Sequence, residues 1–175
     1  MKISRRAAGV IGVCLVALAL SGCDASPGAC FGPLERLSPD GAIQPTAQWG
    51  LGSKAGPFVV VAGMRGIDPA TNEIVLDLAG RVRQAYTNML LIAADAGAQA
   101  DDLIETVVYI RSDPPHPSAD FLAIRSLDND VRQELYGDGP YPNRTIVGVT
   151  ELNGIDPSGE VDVFEMKGTF YVPCD

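Results

Sequence analysis

The spacing of apolar positions changes along this chain, and each change predicts an element. Phe58-Val59-Val60-Val61-Ala62-Gly63 is a short continuous apolar run, a buried strand by its length and β-branching. Ile67-Asp68-Pro69-Ala70-Thr71-Asn72 carries turn chemistry, and Glu73 to Val75 reads as a short hairpin return. From Leu78 to Ala96 the period becomes helical. Val82, Tyr86, Met89, Leu90 and Ala93 recur at spacings of three and four, and Gly97 follows as a C-cap. The Met and Tyr of that stripe are core candidates rather than a cofactor box. Leu103 to Arg111 alternates as a strand should, with Ile104, Thr106, Val108 and Ile110 predicted on one side. Ala119 to Tyr136 is a second, more charged helix, broken by Gly137-Asp138-Gly139-Pro140. Two strands close the chain, Tyr141 to Val149 and Glu160 to Glu165.

Two helices and one mostly antiparallel sheet make a two-layer α+β domain. Helices on one face leave the other face of the sheet to be covered, and apolar residues on both sides of the central strands point to an oligomer. The closing strands carry the candidate chemistry. Arg144 stands near a strand start with a planar fork of donors suited to a carboxylate. Asp162 offers an acid on what reads as a neighbouring strand. From the strands alone, the plainer reading of Arg144 is a surface cation paired with one of the many acids. The sole histidine, His116, lies in Pro114-Pro115-His116-Pro117 and reads as a solvated loop residue. Trp49, the one tryptophan, reads as packing at the core edge.

The first 22 residues differ in kind. Lys2, Arg5 and Arg6 precede an apolar run from Gly9 to Leu20, and Leu20-Ser21-Gly22-Cys23 looks like a bacterial lipobox. The expectation is a signal peptide over 1–22, a lipid on Cys23, a tether over 23–43 with a short ordered piece at Leu34 to Leu37, and a domain over 44–175. The protein would then be exported and held at a membrane surface by its lipid. The 175-residue chain has a formal charge of −9, and loss of residues 1–22 removes three basic groups and no acid, leaving −12. An acidic body disfavours nucleic acid as a general partner. Of four cysteines, Cys14 leaves with the signal and Cys23 takes the lipid. Cys30 and Cys174 remain, either as a disulfide in an oxidising compartment or as two free thiols. No Cys/His cluster suggests a metal, and no motif calls for a cofactor.

Five segments, in order and near the expected spacing, resemble the RidA family, also called YjgF. They are Val60 to Gly63, Asp68 to Ile74, Arg83 to Asn88, Ala93 to Gly97 and Pro142 to Val149. The resemblance covers about residues 44 to 172. It implies a chorismate-mutase-like fold and a homotrimer with clefts between subunits. It implies hydrolysis of enamine and imine intermediates to 2-oxo acids and ammonia, in the manner of a 2-iminobutanoate/2-iminopropanoate deaminase. A strand-borne arginine binds the substrate carboxylate in that family, and Arg144 falls there. A backbone group at Ile146 helps place the water, Gly63 lends a backbone donor, and the family's acid on the final strand aligns with Asp162.

The match departs from the family pattern at several lining positions. The cleft tyrosine aligns with Thr46, the serine before the strand-end glycine is Ala62, the glutamine after it is Met64, and the helical asparagine aligns with Asn129. About three extra residues lengthen the turn near Asp156 to Gly159. Two functions follow as expectations: an imine deaminase in which Arg144 and Asp162 act, or a non-catalytic trimeric lipoprotein that holds a small carboxylate or a protein in the same clefts. A ribonuclease, an activity sometimes attributed to the family, fits the acidic body and the lack of a catalytic histidine poorly.

Overall fold

The apolar stripe of the first helix needs an apolar sheet face to cover it. The computed structural model, which describes residues 32–112, 120–152 and 161–173, supplies one. In chain order the elements are β1 (Glu35–Leu37), β2 (Gly52–Ala55), β3 (Phe58–Arg65), β4 (Ile67–Asp68), β5 (Glu73–Ile74), α1 (Leu78–Asp95), β6 (Leu103–Arg111), α2 (Phe121–Tyr136), β7 (Asn143–Val149) and β8 (Phe164–Tyr171). Six strands form one sheet in the order β1-β2-β3-β8-β6-β7, and β4 and β5 make a separate two-stranded ribbon. Neighbours in the large sheet are antiparallel except β6 and β7, which α2 joins as a crossover and which run parallel. The α+β class read from the sequence is the class observed.

Val59, Val61 and Met64 of β3 and Phe164, Met166 and Phe170 of β8 alternate inward. They meet Val82, Met89, Ile92 and Ala93 of α1 in one buried cluster. Burying side chains of this size stabilises the fold by about 1.5–3 kcal/mol each before entropy is counted. Asp77 caps α1 by accepting from the Gly80 amide at 2.6 Å. Asp120 caps α2 through the Leu122 and Ala123 amides. Gly97, just past α1, has φ +85°, the left-handed conformation that ends a helix at least cost in a residue without Cβ.

The structure corrects several sequence expectations. The last strand begins at Phe164, so Asp162 precedes it and is not a strand residue. The alternation that buries residues runs through Phe164, Met166 and Phe170, and Asp162, two residues before Phe164, is buried with them at 1% exposure. The two closing strands are not neighbours either, because β6 lies between β7 and β8. In β6, Thr106, Val108 and Ile110 face inward as expected, but Ile104 is 37% exposed. A register shift between Leu103 and Glu105 turns Ile104 to the other face, as a bulge does. The run at β3 is not buried on both sides in one chain: Phe58 and Val60 stay 45% and 46% exposed. Part of the expected tether is folded, since β1 pairs with β2, and Leu37, Ala42 and Ile43 are buried. Cys23, Cys30, Cys174, His116 and the lengthened turn at Asp156 to Gly159 lie outside the described residues.

The ribbon, α1 and the segment before β8 are tied together by one buried arginine. Arg81 of α1 is 2% exposed and donates to the carbonyls of Val75, Leu76 and Val161. Gly66, between β3 and β4, lies so close that a Cβ there would stand 2.2 Å from the Arg81 carbonyl oxygen. Backbone cannot yield as a flexible side chain can. Gly66→Ala should therefore destabilise the chain by about 1–3 kcal/mol or more, read as a lowered midpoint in urea denaturation at unchanged slope.

Candidate active site

Arg144 is the second residue of β7 and points toward α2, because Ile146, two residues on, packs against the same core. Its Nη1 donates to Oδ2 of Asp128, a carboxylate with no exposure at all. The other oxygen of Asp128 accepts from the Tyr86 hydroxyl at 2.7 Å. Burial first, and the charge of Asp128 second, push the Tyr86 phenol far above its ordinary pKa, so it stays a donor. Arg132, one helical turn after Asp128, is also buried. It donates to the Thr106 hydroxyl and the Pro142 carbonyl and lies over the rings of Tyr136 and Tyr141. One buried carboxylate thus holds Arg144 from behind and links α1, α2 and β7.

Arg144 lines two adjoining cavities. One, of about 420 Å³, is bounded by Asn129, Arg132, Gln133, Tyr141 and Arg144. The other, of about 350 Å³, is bounded by Phe121, Arg125, Arg144 and Ile146. Three residues predicted for the site from sequence, Arg144, Asn129 and Ile146, are therefore brought together.

Gly63, Asp162 and Thr46 are not among them. Asp162 is 1% exposed and pairs with Arg65 at 2.7 Å. Thr46 is exposed in a bend and lines neither cavity. Gly63 lies in the bulge of β3, where the register with β8 shifts between Val61 and Met64. A Cβ on Gly63 would sit 2.2 Å from a carboxylate oxygen of Glu165, so only glycine lets that acid lie against the strand. Trp49, Ala62, Gly63, Arg65 and Glu165 bound a third cavity of about 200 Å³. Of the two acids Glu165 and Asp162, Glu165 faces this cavity, and the Asp162 carboxylate sits behind it as the counterion of Arg65. Burial, and then repulsion from Asp162, raise the Glu165 pKa above its ordinary value, and Arg65 opposes the shift only in part.

Glu165 alternates with the inward Phe164 and Met166, so it projects from the face of the sheet away from the helices. Arg144 projects toward α2. Their register partners on β6 are Tyr109 and Thr106. Three residues along and two strands across place the two backbones roughly 14 Å apart. The site residues that the sequence did not single out are Glu165, Arg65, Asp128 and Arg132. Glu165 lies in the segment read as a strand, one register choice away. Asp128 and Tyr86 are 42 residues apart, and no local pattern connects them.

A two-layer α+β domain with an arginine at the start of its parallel edge strand and a glycine-backed acid on its open face defines the class of small protein to which this chain belongs. The family model for endoribonuclease L-PSP matches residues 40–165, and the chain belongs to that family, the RidA/YjgF group. A 2-iminobutanoate/2-iminopropanoate deaminase of Dermatophagoides farinae is 32% identical over 121 residues, 69% of this chain and 87% of that protein. A RutC family protein of Pyrococcus horikoshii is also 32% identical, over 67% of this chain and 86% of its own length. Among solved structures, a probable translation initiation inhibitor from Rhodopseudomonas palustris is 34% identical with a TM-score of 0.70, covering 81% of this chain and 100% of that one. RidA from an Antarctic Psychrobacter is 25% identical with a TM-score of 0.65, covering 79% and 99%.

Two measurements test this geometry. Removing one partner of a buried ion pair strands the other charge. Asp128→Ala should cost about 3–5 kcal/mol in denaturant unfolding, and adding Arg144→Leu to it should cost less than the two single changes together. The raised pKa of Glu165 means that the folded chain binds this proton more tightly than the unfolded chain does. The stability it contributes is therefore full at low pH and lost as pH rises from its ordinary 4.5 through the raised value. The stability of wild type relative to Glu165→Gln should fall with rising pH across that window, measured by denaturation at a series of pH values.

Proposed function

We propose that this protein hydrolyses small 2-imino or 2-enamino acids to 2-oxo acids and ammonia. The observation that carries the reading is Arg144, held from behind by a buried carboxylate and bordering two cavities with Asn129 and Ile146. A guanidinium anchored on one side by Asp128 offers its remaining donors, already oriented, to a substrate carboxylate. Water adds to the imine carbon, forming the C–O bond while the nitrogen takes a proton. The carbinolamine then loses its nitrogen as ammonia, and the oxygen gives up its proton as the carbonyl forms. Glu165, whose raised pKa lets it hold a proton closer to neutral pH, is the group suited to give that proton to nitrogen and recover it from oxygen. It takes the acid role that the sequence alone assigns to Asp162, which is sealed against Arg65.

Arg144 and Glu165 lie on opposite faces of one sheet, so one small molecule reaches both only if a second copy brings its open face to the Arg144 cavities. The open face is suited to such burial. Phe58, Val60, Ile104, Val147 and Tyr171 all remain 37% to 46% exposed on it. A homotrimer with three clefts, as the family resemblance implies, would satisfy both needs.

The test uses the full chain beside an amino-acid oxidase that generates imines, with ammonia and oxo acid as readouts. Wild type should accelerate release over buffer. Arg144→Ala should lower kcat/KM by a factor of order 10² to 10³, chiefly through KM. Glu165→Gln should lower kcat by a factor of order 10² to 10⁴. Sedimentation should report the mass of three chains. Wild type no faster than buffer, or Arg144→Ala equal to wild type, would overturn the reading.

A further inference from the structure

The charges around Arg144 are unequal. Phe121, Arg125, Asn129 and Gln133 follow one another at intervals of four along α2 and so share one stripe of the helix. All four border the two cavities that Arg144 lines. Asp128 and Arg132 sit beside the stripe. Three guanidiniums, Arg125, Arg132 and Arg144, thus gather about one carboxylate, Asp128, a local excess of two positive charges in a chain whose net charge is −9. The acids elsewhere on α2 do not cancel it. Asp120 accepts the amides of the first turn, Glu134 is paired with Arg83, and Asp130 lies roughly 140° around the helix from Arg125.

The three arginines have different duties. Arg132 is 5% exposed and is held by Pro142 and Thr106, so it and Asp128 roughly balance as buried charges. Arg144 is tied to Asp128 at one nitrogen only. Arg125 is exposed, borders the cavity of about 350 Å³ with Arg144, and makes no ion pair among the described residues. It lies three residues before Asp128, about 4.5 Å along the helix axis from the point where Arg144 docks. That offset is within the span of a four- or five-carbon diacid.

We infer that the Arg144 cavity is built for a dianion, and that the preferred substrates are imines of acidic amino acids, with one carboxylate on Arg144 and the second on Arg125. The inference rests on the proposed deaminase reading for its reaction but not for its binding. Phe121 and Ile146 form the apolar floor between the two cations. Asp128 ties Arg144 through one nitrogen and leaves its remaining donors to the cavity that Arg125 also borders. A monocarboxylate would leave Arg125 unanswered and lose one charge-assisted contact.

The experiment is calorimetric titration of the full chain with oxaloacetate and 2-oxoglutarate against pyruvate and 2-oxobutanoate. The diacids should bind roughly tenfold or more tightly than the monoacids, the worth of one hydrogen bond to a charged group. Arg125→Gln should lower diacid affinity by about tenfold or more and monoacid affinity by much less, so that the preference collapses. Arg144→Ala should weaken both classes. Equal affinity for both classes in wild type, a preference that survives Arg125→Gln, or no binding of either class would overturn the inference. Diacid preference in a protein that accelerates no imine hydrolysis would leave this inference standing and remove the deaminase reading. Turnover without diacid preference would do the reverse.

Discussion

A carboxylate with no access to solvent is tolerable only when its charge is answered, and in this fold Asp128 is answered by Arg144 and Tyr86. The three residues come from α2, β7 and α1. The same contact that makes the interior electrostatically tolerable therefore sets how the two helices sit over the edge of the sheet and which way Arg144 points. Stability and site geometry are the same interaction here. Arg132 extends it by packing over Tyr136 and Tyr141 and binding the Pro142 carbonyl, which fixes the loop that leads into β7.

The opposite face of the sheet is organised around a close approach. Gly63 has no Cβ, so Glu165 lies against the bulge of β3 where a larger residue would exclude it. Asp162 and Arg65 form a sealed pair beside it. Two like charges near one another disfavour each other's ionisation. Asp162 is answered by a guanidinium at 2.7 Å, whereas burial and then the charge of Asp162 raise the Glu165 pKa. The two halves of the candidate site are each preorganised, but on opposite faces of one chain.

Periodicity was the legible part. The α1 stripe, the alternation of β6, the hairpin at β4 and β5 and the strand at β7 all follow from local spacing, and their bounds fall within a residue or two of those read from it. The strand position of Arg144 was also legible, because the proline before it and the β-branched residues after it mark a strand start. The acid was misread by face. In a period-two count Asp162 falls with the buried Phe164 and Met166, whereas Glu165 falls on the other side and faces the cavity. Ile104 was misplaced by the bulge at Leu103 to Glu105.

What the sequence by itself determined was the class of fold and the order of its elements, since these depend on propensities and spacings within about twenty residues. Which acid meets Arg144, and which acid faces a cavity, was decided only by tertiary structure. Asp128 and Tyr86 are 42 positions apart, and Arg65 and Asp162 are 97 apart. Such pairs form because the sheet order β3-β8-β6-β7 folds distant segments together. A buried charge then accepts whichever partner the packing delivers.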